Sequence, residues 1–371
     1  MSAPPVAPEV SSELLQELLE AYAFAGARAR LRPFGRGRIH HTYRLEVNGD
    51  AWLAQRINTH VFADVEALGR NTLLVTEHLA AQQRVKMNDE SPRRCLTLRL
   101  SGTGEALYRT RAGDYWRLYR FIEGAVTPRE PTLRQVRAGA GAFGEFLHAV
   151  ASLRNERLAF TIPAFHDTPA RYRAFERAAR SDVHRRATAC ATTMAHARDN
   201  AHLAETIGRL QTEGDLPLRV VHNDCKLDNV LFDASSGEPL CVVDLDTVMP
   251  GFALHDVGDL VRSAASVGGE EGGGATLRLD LARFEAVVEG YLAGVGSTLT
   301  PTECSHLAVA GELITYELGL RFLTDHLDGD QYFAVANAGD NLHRAERQFS
   351  LLRSMQEQAG AMASVVRAIC G

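Results

Sequence analysis

The residues best suited to chemistry lie in one stretch, Val220-Val221-His222-Asn223-Asp224-Cys225-Lys226-Leu227-Asp228-Asn229-Val230-Leu231-Phe232. An apolar strand leads into His-x-Asp, and an Asn five residues after the Asp opens a second apolar strand. Twenty residues beyond Asp224, Cys241-Val242-Val243-Asp244 is a further apolar run that ends in a carboxylate. Short strands hold such groups at a sheet edge with little positional freedom. Magnesium takes one or two carboxylates and an amide oxygen, with phosphates and waters completing its octahedron. A remaining carboxylate is then available to orient a hydroxyl nucleophile. Asp224, Asn229 and Asp244 are the three candidates for these roles. Lys226 lies two residues past Asp224, placed to neutralise charge on a transferring group. It is one of only two lysines, with Lys86, in a chain otherwise supplied with arginine. A polar turn between two strands is the plain alternative for the same residues.

Such groups need rigid elements around them. Ser11 to Tyr22 has helical spacing with Ser11 or Ser12 as N-cap. Arg32 to Val47 reads as strand, glycine-containing turn and strand, and Asn48-Gly49-Asp50 is a hairpin signal returning through Ala51 to Ile57. Asp64 to Gln83 is a long helix, and Leu96 to Leu100 and Tyr115 to Ile122 are two more strands. Helical patterns then take over at Thr132 to Leu153 and Tyr172 to Leu210. A short β interruption follows between Val220 and Leu245, and helices resume at Asp256. The expected fold is therefore α+β, with a small antiparallel-sheet lobe over residues 1–122 and a larger, mostly helical lobe over 123–371. Gly268 to Gly274 reads as a surface loop.

Length and composition narrow the class. With 371 residues the chain has room for about two domains. Forty Lys and Arg against 46 Asp and Glu give a net charge of −6, which argues against a nucleic-acid-binding scaffold. No apolar run approaches the length of a membrane span, and Met1 to Glu9 lacks the pattern of a secretory leader. Six scattered cysteines without Cys-x-x-Cys or Cys/His spacing fit reduced thiols in a cytoplasm better than zinc or a disulfide framework.

The His-x-Asp-x-Lys-x-x-Asn string with Asp244 downstream follows the catalytic-loop and metal-aspartate pattern of protein kinases, which makes Asp224 the expected base and Asn229 and Asp244 the expected metal ligands. It resembles the aminoglycoside phosphotransferase and choline kinase superfamily. Gln55-Arg56-Ile57-Asn58, the segment Val243 to Gly251 and the segment Gly319 to Phe333 resemble the N-acetylhexosamine 1-kinase branch. The likeness runs from about Pro33 to Phe349. It implies a protein-kinase-like bilobal fold with a nucleotide-binding N-terminal lobe and a catalytic, acceptor-binding C-terminal lobe. The implied activity is ATP- and Mg2+-dependent phosphorylation of the anomeric hydroxyl of N-acetylglucosamine or N-acetylgalactosamine. A small-molecule sugar is then the partner, with no nucleic acid and no membrane, and the oligomeric state stays open.

The resemblance also assigns supporting roles. Gly35 and Gly37 would lay backbone N–H groups over a triphosphate. The third-strand lysine of kinases is absent, and Arg56, in the Ala-x-Lys spacing with Ala54, is the expected substitute. Gln55 is its rival if the register slips by one, and Glu66 or Glu77 would be the helix partner. Phe121 and Ile122 fall in the interlobe hinge. Asp259 would brace the catalytic loop, with Asp256 a simple N-cap. Arg321 and Tyr332, with Asp246 a weaker candidate, would contact the acceptor. Glu317 and Arg321 are also spaced to pair with each other. The segment Phe165-His166-Asp167-Thr168 with Arg171 resembles the branch too, with a helix cap at Asp167 or Thr168 as its simpler reading. Two alternatives stand beside this one: the same chemistry on an aminoglycoside, choline or another alcohol, and a non-catalytic pseudokinase.

Overall fold

Period-two alternation in the N-terminal third fixes which side chains share a face. The computed structural model describes residues 7–35, 39–87, 93–213, 216–268 and 276–371. Gly37, and the glycine-rich loop beyond Gly268, lie outside the described residues. The chain divides into two compact units. The first takes Met1–Val126, Ser152–Pro163 and Leu231–Pro250, and the second takes Thr127–Ala151, Ala164–Val230 and Gly251–Gly371. The sequence-based boundary at 122 thus lies beside the first crossing. Two later segments return to the first unit for identifiable reasons. β7 (Ala125–Val126), β9 (Val230–Asp233) and β10 (Pro239–Val242) form one small sheet in the order β10-β9-β7. The buried Asn71 amide also bonds the carbonyls of Ala159 and Val248.

The main sheet of the first unit has six strands. They are β1 (Ala29–Pro33), β2 (His41–Val47), β3 (Asp50–Arg56), β4 (Leu98–Arg99), β5 (Tyr108–Arg109) and β6 (Tyr115–Arg120). Their order is β1-β2-β3-β6-β4, with β5 also on β6. The hairpin signal gives the β2–β3 turn, with Asn48 and Gly49 at φ 52° and 98°. One face of the sheet, with Tyr43, Leu45, Trp52, Ala54, Trp116 and Leu118, packs against Leu18, Leu19 and Tyr22 of and after α1 (Ser12–Ala21). Tyr22 seals this contact by donating its hydroxyl to the Trp116 carbonyl at 2.8 Å. Gln55 and Arg117, opposite each other in the β3–β6 register, alternate onto the other face. β5 escaped the sequence reading because two residues carry no periodicity. The helix of this unit, α2 (Val65–Met87), runs a turn longer than its pattern suggested.

The second unit is helical. It contains α3 (Leu133–Val150), α4 (Thr168–Ser181), α5 (Ala191–Asp199), α6 (Thr206–Thr212), α7 (Ala253–Ala264) and α8 (Leu281–Val295). After these come α9 (Pro301–Ser305), α10 (Leu307–Leu327), α11 (Asp340–Glu357) and α12 (Ala359–Cys370). A capping box between Thr132 and Gln135 starts α3, and a left-handed Asp182 ends α4. Phe175, Tyr316, Leu320, Leu323, Phe349 and Leu352 fill one buried cluster. Among the described residues no helix is long and apolar enough to cross a membrane.

α3 and α8 approach backbone to backbone through glycines. A Cβ on Gly290 would overlap the Arg137 carbonyl, one on Gly294 the Gly141 carbonyl, and one on Gly144 the Tyr291 carbonyl. This contact fixes α3, whose Phe143 and Phe146 rings meet His222 edge-on with centroids at 5.2 and 5.4 Å. Gly290→Ala is expected to destabilise the protein by about 1–3 kcal/mol, the usual range for overpacking. Gly208→Ala in α6 has open space around it and is expected to be neutral or stabilising by up to about 1 kcal/mol. Urea denaturation of the two variants checks both.

Candidate active site

The catalytic loop is built inside the second unit. β8 (Arg219–Val221) delivers His222, Asn223 and Asp224, and a single 3-10 turn, Leu227–Asn229, leads into β9. Asp224 Oδ2 accepts from Lys226 Nζ at 2.7 Å and from Asn229 Nδ2 at 2.9 Å. Asn229 Nδ2 also donates to the Asp224 carbonyl at 2.9 Å. These bonds commit the Asn229 amide nitrogen to Asp224 and leave its amide oxygen out of that pairing. Burial pushes the Asp224 carboxyl up, but Lys226, then His222 and Asn229, bring it below its ordinary value. It is therefore ionised at neutral pH. The structure thus brings together Asp224, Lys226 and Asn229 as expected from their spacing.

The brace of this loop is not the expected residue. Asp256 on α7 accepts from the backbone N–H groups of His222 (3.0 Å) and Asn223 (2.7 Å). Asp259 instead binds Arg262 on its own helix at 2.9 Å. Asp256 is also no N-cap, since that position belongs to Phe252. The reason is position along the helix: the side chain of Asp256, one turn into α7, is the one aimed at the loop. On the carbonyl side of the same loop, His166 Nε2 lies 3.0 Å from the Asn223 oxygen, and its Nδ1 lies 2.8 Å from Glu317 Oε1. Thr168 Oγ1 donates to Glu317 Oε2 at 2.6 Å. Glu317 therefore pairs with His166 rather than with Arg321, and Asp167 is the N-cap of α4.

Arg321 has a different environment. Its guanidinium lies 5.5–5.8 Å from the ring centroids of Phe165, Tyr332 and Phe333. With Arg171, Thr324, Asp325, Tyr332 and Phe333 it lines an open cavity of about 170 Å3. Asp328 lines the cavity too, while two other acidic residues nearby have other partners. Asp325 accepts from the backbone N–H groups of Gln331, Tyr332 and Phe333 and from the Asn341 amide. Asp330 binds Arg186 and Asn341.

In the first unit Asp244 ends the run after β10 with a left-handed backbone, φ 62° and ψ 59°, a conformation that is costly for a residue with a Cβ. Two residues on, Asp246 is 2% exposed and holds Arg117 through both guanidinium nitrogens, Nη2 at 2.7 Å. His40 Nε2 lies 2.6 Å from Asp246 Oδ2, and His40 Nδ1 accepts from the Asn58 N–H, so Nε2 carries the donated proton. Burial pushes the Asp246 carboxyl up, but the Arg117 charge and His40 outweigh it and hold it well below the carboxylate range. Asp246 is therefore a structural anchor, which corrects its expected contact with an acceptor.

The third-strand position is corrected as well. Arg56 lies on the α1-facing side and binds Asp114 at 2.8 Å, with both side chains about a third exposed. Gln55, the rival, is on the face with Arg117 and accepts from Arg117 Nε at 2.9 Å. Glu66 is exposed beside Arg70, and Glu77 is exposed on α2, so neither meets this cluster. The buried polar residues of α2, among those described, are Asn71, Thr72 and Thr76. Sequence reasoning missed Arg117, although one charged residue inside Tyr115-Trp116-Arg117-Leu118-Tyr119 was its signal. Gly35 has φ 72°, the left-handed value that favours glycine, while its partner Gly37 lies outside the described residues. Phe121 meets Phe34 edge-on at 5.1 Å, and its N–H is committed to the Ala51 carbonyl. Ile122, the other expected hinge residue, is buried.

The Asn229 amide oxygen and the Asp244 carboxylate are each hard oxygen donors of the kind Mg2+ takes. Among the described residues no group of three or more His, Cys, Asp or Glu could hold a metal unaided. The two arginines differ in a measurable way. Arg117→Ala leaves Asp246 buried with its main partner gone and is expected to cost about 3–5 kcal/mol. Arg56→Ala removes a part-exposed pair and is expected to cost less than about 1 kcal/mol. Thermal and urea unfolding of both variants checks this contrast.

Known proteins of similar structure share this arrangement of elements. An aminoglycoside phosphotransferase from Alicyclobacillus acidocaldarius superposes with a TM-score of 0.62 at 14% identity, covering 97% of this chain and 99% of that one. Choline kinase from Cryptosporidium parvum gives 0.56 at 12% identity, covering 96% and 99%. A spectinomycin phosphotransferase, determined with ADP and spectinomycin, gives 0.54 at 12% identity, covering 98% and 99%. At these identities the likeness shows the fold, which is kinase-like. The family model for the phosphotransferase enzyme family APH matches residues 30–296. That match takes in β8, the catalytic loop and Asp244, and the chain belongs to the APH phosphotransferase enzyme family.

Proposed function

We propose that this phosphotransferase uses ATP with Mg2+ to phosphorylate the anomeric hydroxyl of N-acetylglucosamine or N-acetylgalactosamine. The carrying observation is the cavity of the second unit, where Arg321 and Arg171 stand among Phe165, Tyr332 and Phe333. A guanidinium donates to an acetamido carbonyl, and an aromatic face packs on a sugar ring. Two cations on the wall repel a cationic aminoglycoside or choline. Of the three carboxylates that would favour a polycation, Asp325, Asp328 and Asp330, the first and last are already bonded to Asn341, Arg186 and the backbone of residues 331–333, and Asp328 remains on the cavity wall.

The chain's own groups divide the work. Asp224, ionised, orients the acceptor hydroxyl and takes its proton late in the transfer. Lys226 holds Oδ2 of that carboxylate and offsets charge on the transferring group. Asn229 and Asp244 would hold Mg2+, which when bound offsets charge on the β- and γ-phosphate oxygens. Gly35, Phe121 and Ile122 belong to the nucleotide side. The retention of Asp224, Lys226 and Asn229 in one hydrogen-bonded set supports catalysis over a pseudokinase. The setting is a cytoplasm, in keeping with six free cysteines.

ADP release with Mg-ATP and a panel of N-acetylglucosamine, N-acetylgalactosamine, glucose, kanamycin and choline tests this reading. Turnover on an N-acetylhexosamine, with an acid-labile 1-phosphate product, is expected. Turnover confined to kanamycin or choline, or to none of the panel, would overturn it. Arg321→Ala is expected to raise KM for the N-acetyl sugar about 10–100-fold, the value of one charge-assisted hydrogen bond, while KM for ATP stays close to wild type.

A further inference from the structure

We propose that His166 is a positioning residue that, as an imidazolium paired with Glu317, donates to the Asn223 carbonyl and fixes the peptide leading into Asp224. This rests on Asp224 being the base of the transfer proposed above. The inference comes from counting donors. His166 Nε2 meets a backbone carbonyl, and Nδ1 meets a carboxylate whose other oxygen already accepts from Thr168. A neutral imidazole has one N–H and one lone pair, so one of these contacts would set lone pair against lone pair. With both nitrogens protonated, both bonds are made. The ring is 8% exposed and Glu317 2%, so neither contact is easily exchanged for water.

The surroundings agree. The charged and titratable groups that face the ring are Glu317 on α10, with Arg321 one turn further, and His255 and Asp259 on α7. His255 lies 4.6 Å from His166 ring to ring, and burial and the His166 charge push it down to about 3. It stays neutral and adds no competing cation. Burial pulls His166 down, but Glu317 outweighs it and raises the ring above its ordinary 6.5. Glu317 falls from 4.5 to about 2. Asn223, at φ 63°, is thereby tied at both polar ends, its N–H to Asp256 and its C=O to His166. Its left-handed backbone needs such ties to persist.

Ring-nitrogen NMR of the full-length protein labelled with 15N-histidine tests the charge state. His166→Gln assigns the signal. Both ring nitrogens of His166 should be protonated at neutral pH, whereas a singly protonated ring there would overturn the proposal. Kinetics test the role, with N-acetylglucosamine as acceptor, or water if no sugar is turned over. His166→Phe is expected to lower kcat about 10²-fold, the scale of a displaced catalytic group, with KM for ATP and acceptor little changed. Glu317→Gln leaves the ring able to donate from Nε2 and should retain most of kcat. Wild-type kcat in His166→Phe would overturn the proposal, as would equal losses in the two variants. If His166→Phe does not fold, the NMR result decides alone. Because the NMR arm uses no acceptor, failure of the sugar assignment and failure of this proposal are separate outcomes.

Discussion

One buried carboxylate sets the geometry of the catalytic loop. Asp256 takes the N–H groups of both His222 and Asn223, and the residues that follow inherit their direction from that grip. Burial pushes the Asp256 carboxyl up, and His222 with the two backbone donors opposes the shift. The helix that carries it is itself immobile, since a Cβ on Gly258 would overlap the Ala310 carbonyl of α10. From the other side Phe143 and Phe146 close on His222. Asp224 therefore issues from a peptide with almost no freedom, as a group that orients a hydroxyl requires. Asn229 adds the last restraint by donating back to both the carbonyl and the carboxylate of Asp224.

The first unit solves a different electrostatic problem. A strand lysine paired with a helix acid is the usual kinase arrangement, and neither partner is present. The buried cation here is Arg117 on β6, which meets Asp246 through two nitrogens and Gln55 through a third. A planar guanidinium suits this position because it satisfies a carboxylate and an amide oxygen at once. His40 and the Thr161 hydroxyl complete the shell around Asp246. An ion pair this deeply buried is a poor source of stability by itself, but it tolerates only one arrangement of its partners.

Local sequence carried the hairpin at Asn48-Gly49, narrowed the caps to Ser11 or Ser12 and to Asp167 or Thr168, and put Asp224, Lys226 and Asn229 in one short loop. In each of these the partners lie within a few residues, so spacing alone constrains geometry. The α+β class was legible for the same reason, from long helical periods after residue 123. Contacts across the sequence were not. Arg117 and Asp246 are 129 positions apart, and His166 and Glu317 are 151 apart, and nothing in periodicity selects such pairs. The choice between Gln55 and Arg56 was similarly out of reach, because alternation orders a strand's faces without saying which face a helix will cover. The choice of Asp259 over Asp256 failed too, since residues three apart share a helix face and spacing does not say which of them meets the loop.

The proposed function gives the loop, its braces and the arginine-lined cavity one shared task, fixing the acceptor hydroxyl. The most direct measurement is a single-turnover assay of Asp224→Asn, with ATP and acceptor affinities determined by calorimetry on the same preparation. Wild-type-like binding of both ligands with transfer slowed about 10²–10⁴-fold, the range for loss of a general base, is the predicted result. Transfer at the wild-type rate with that side chain neutralised would contradict the role given to Asp224.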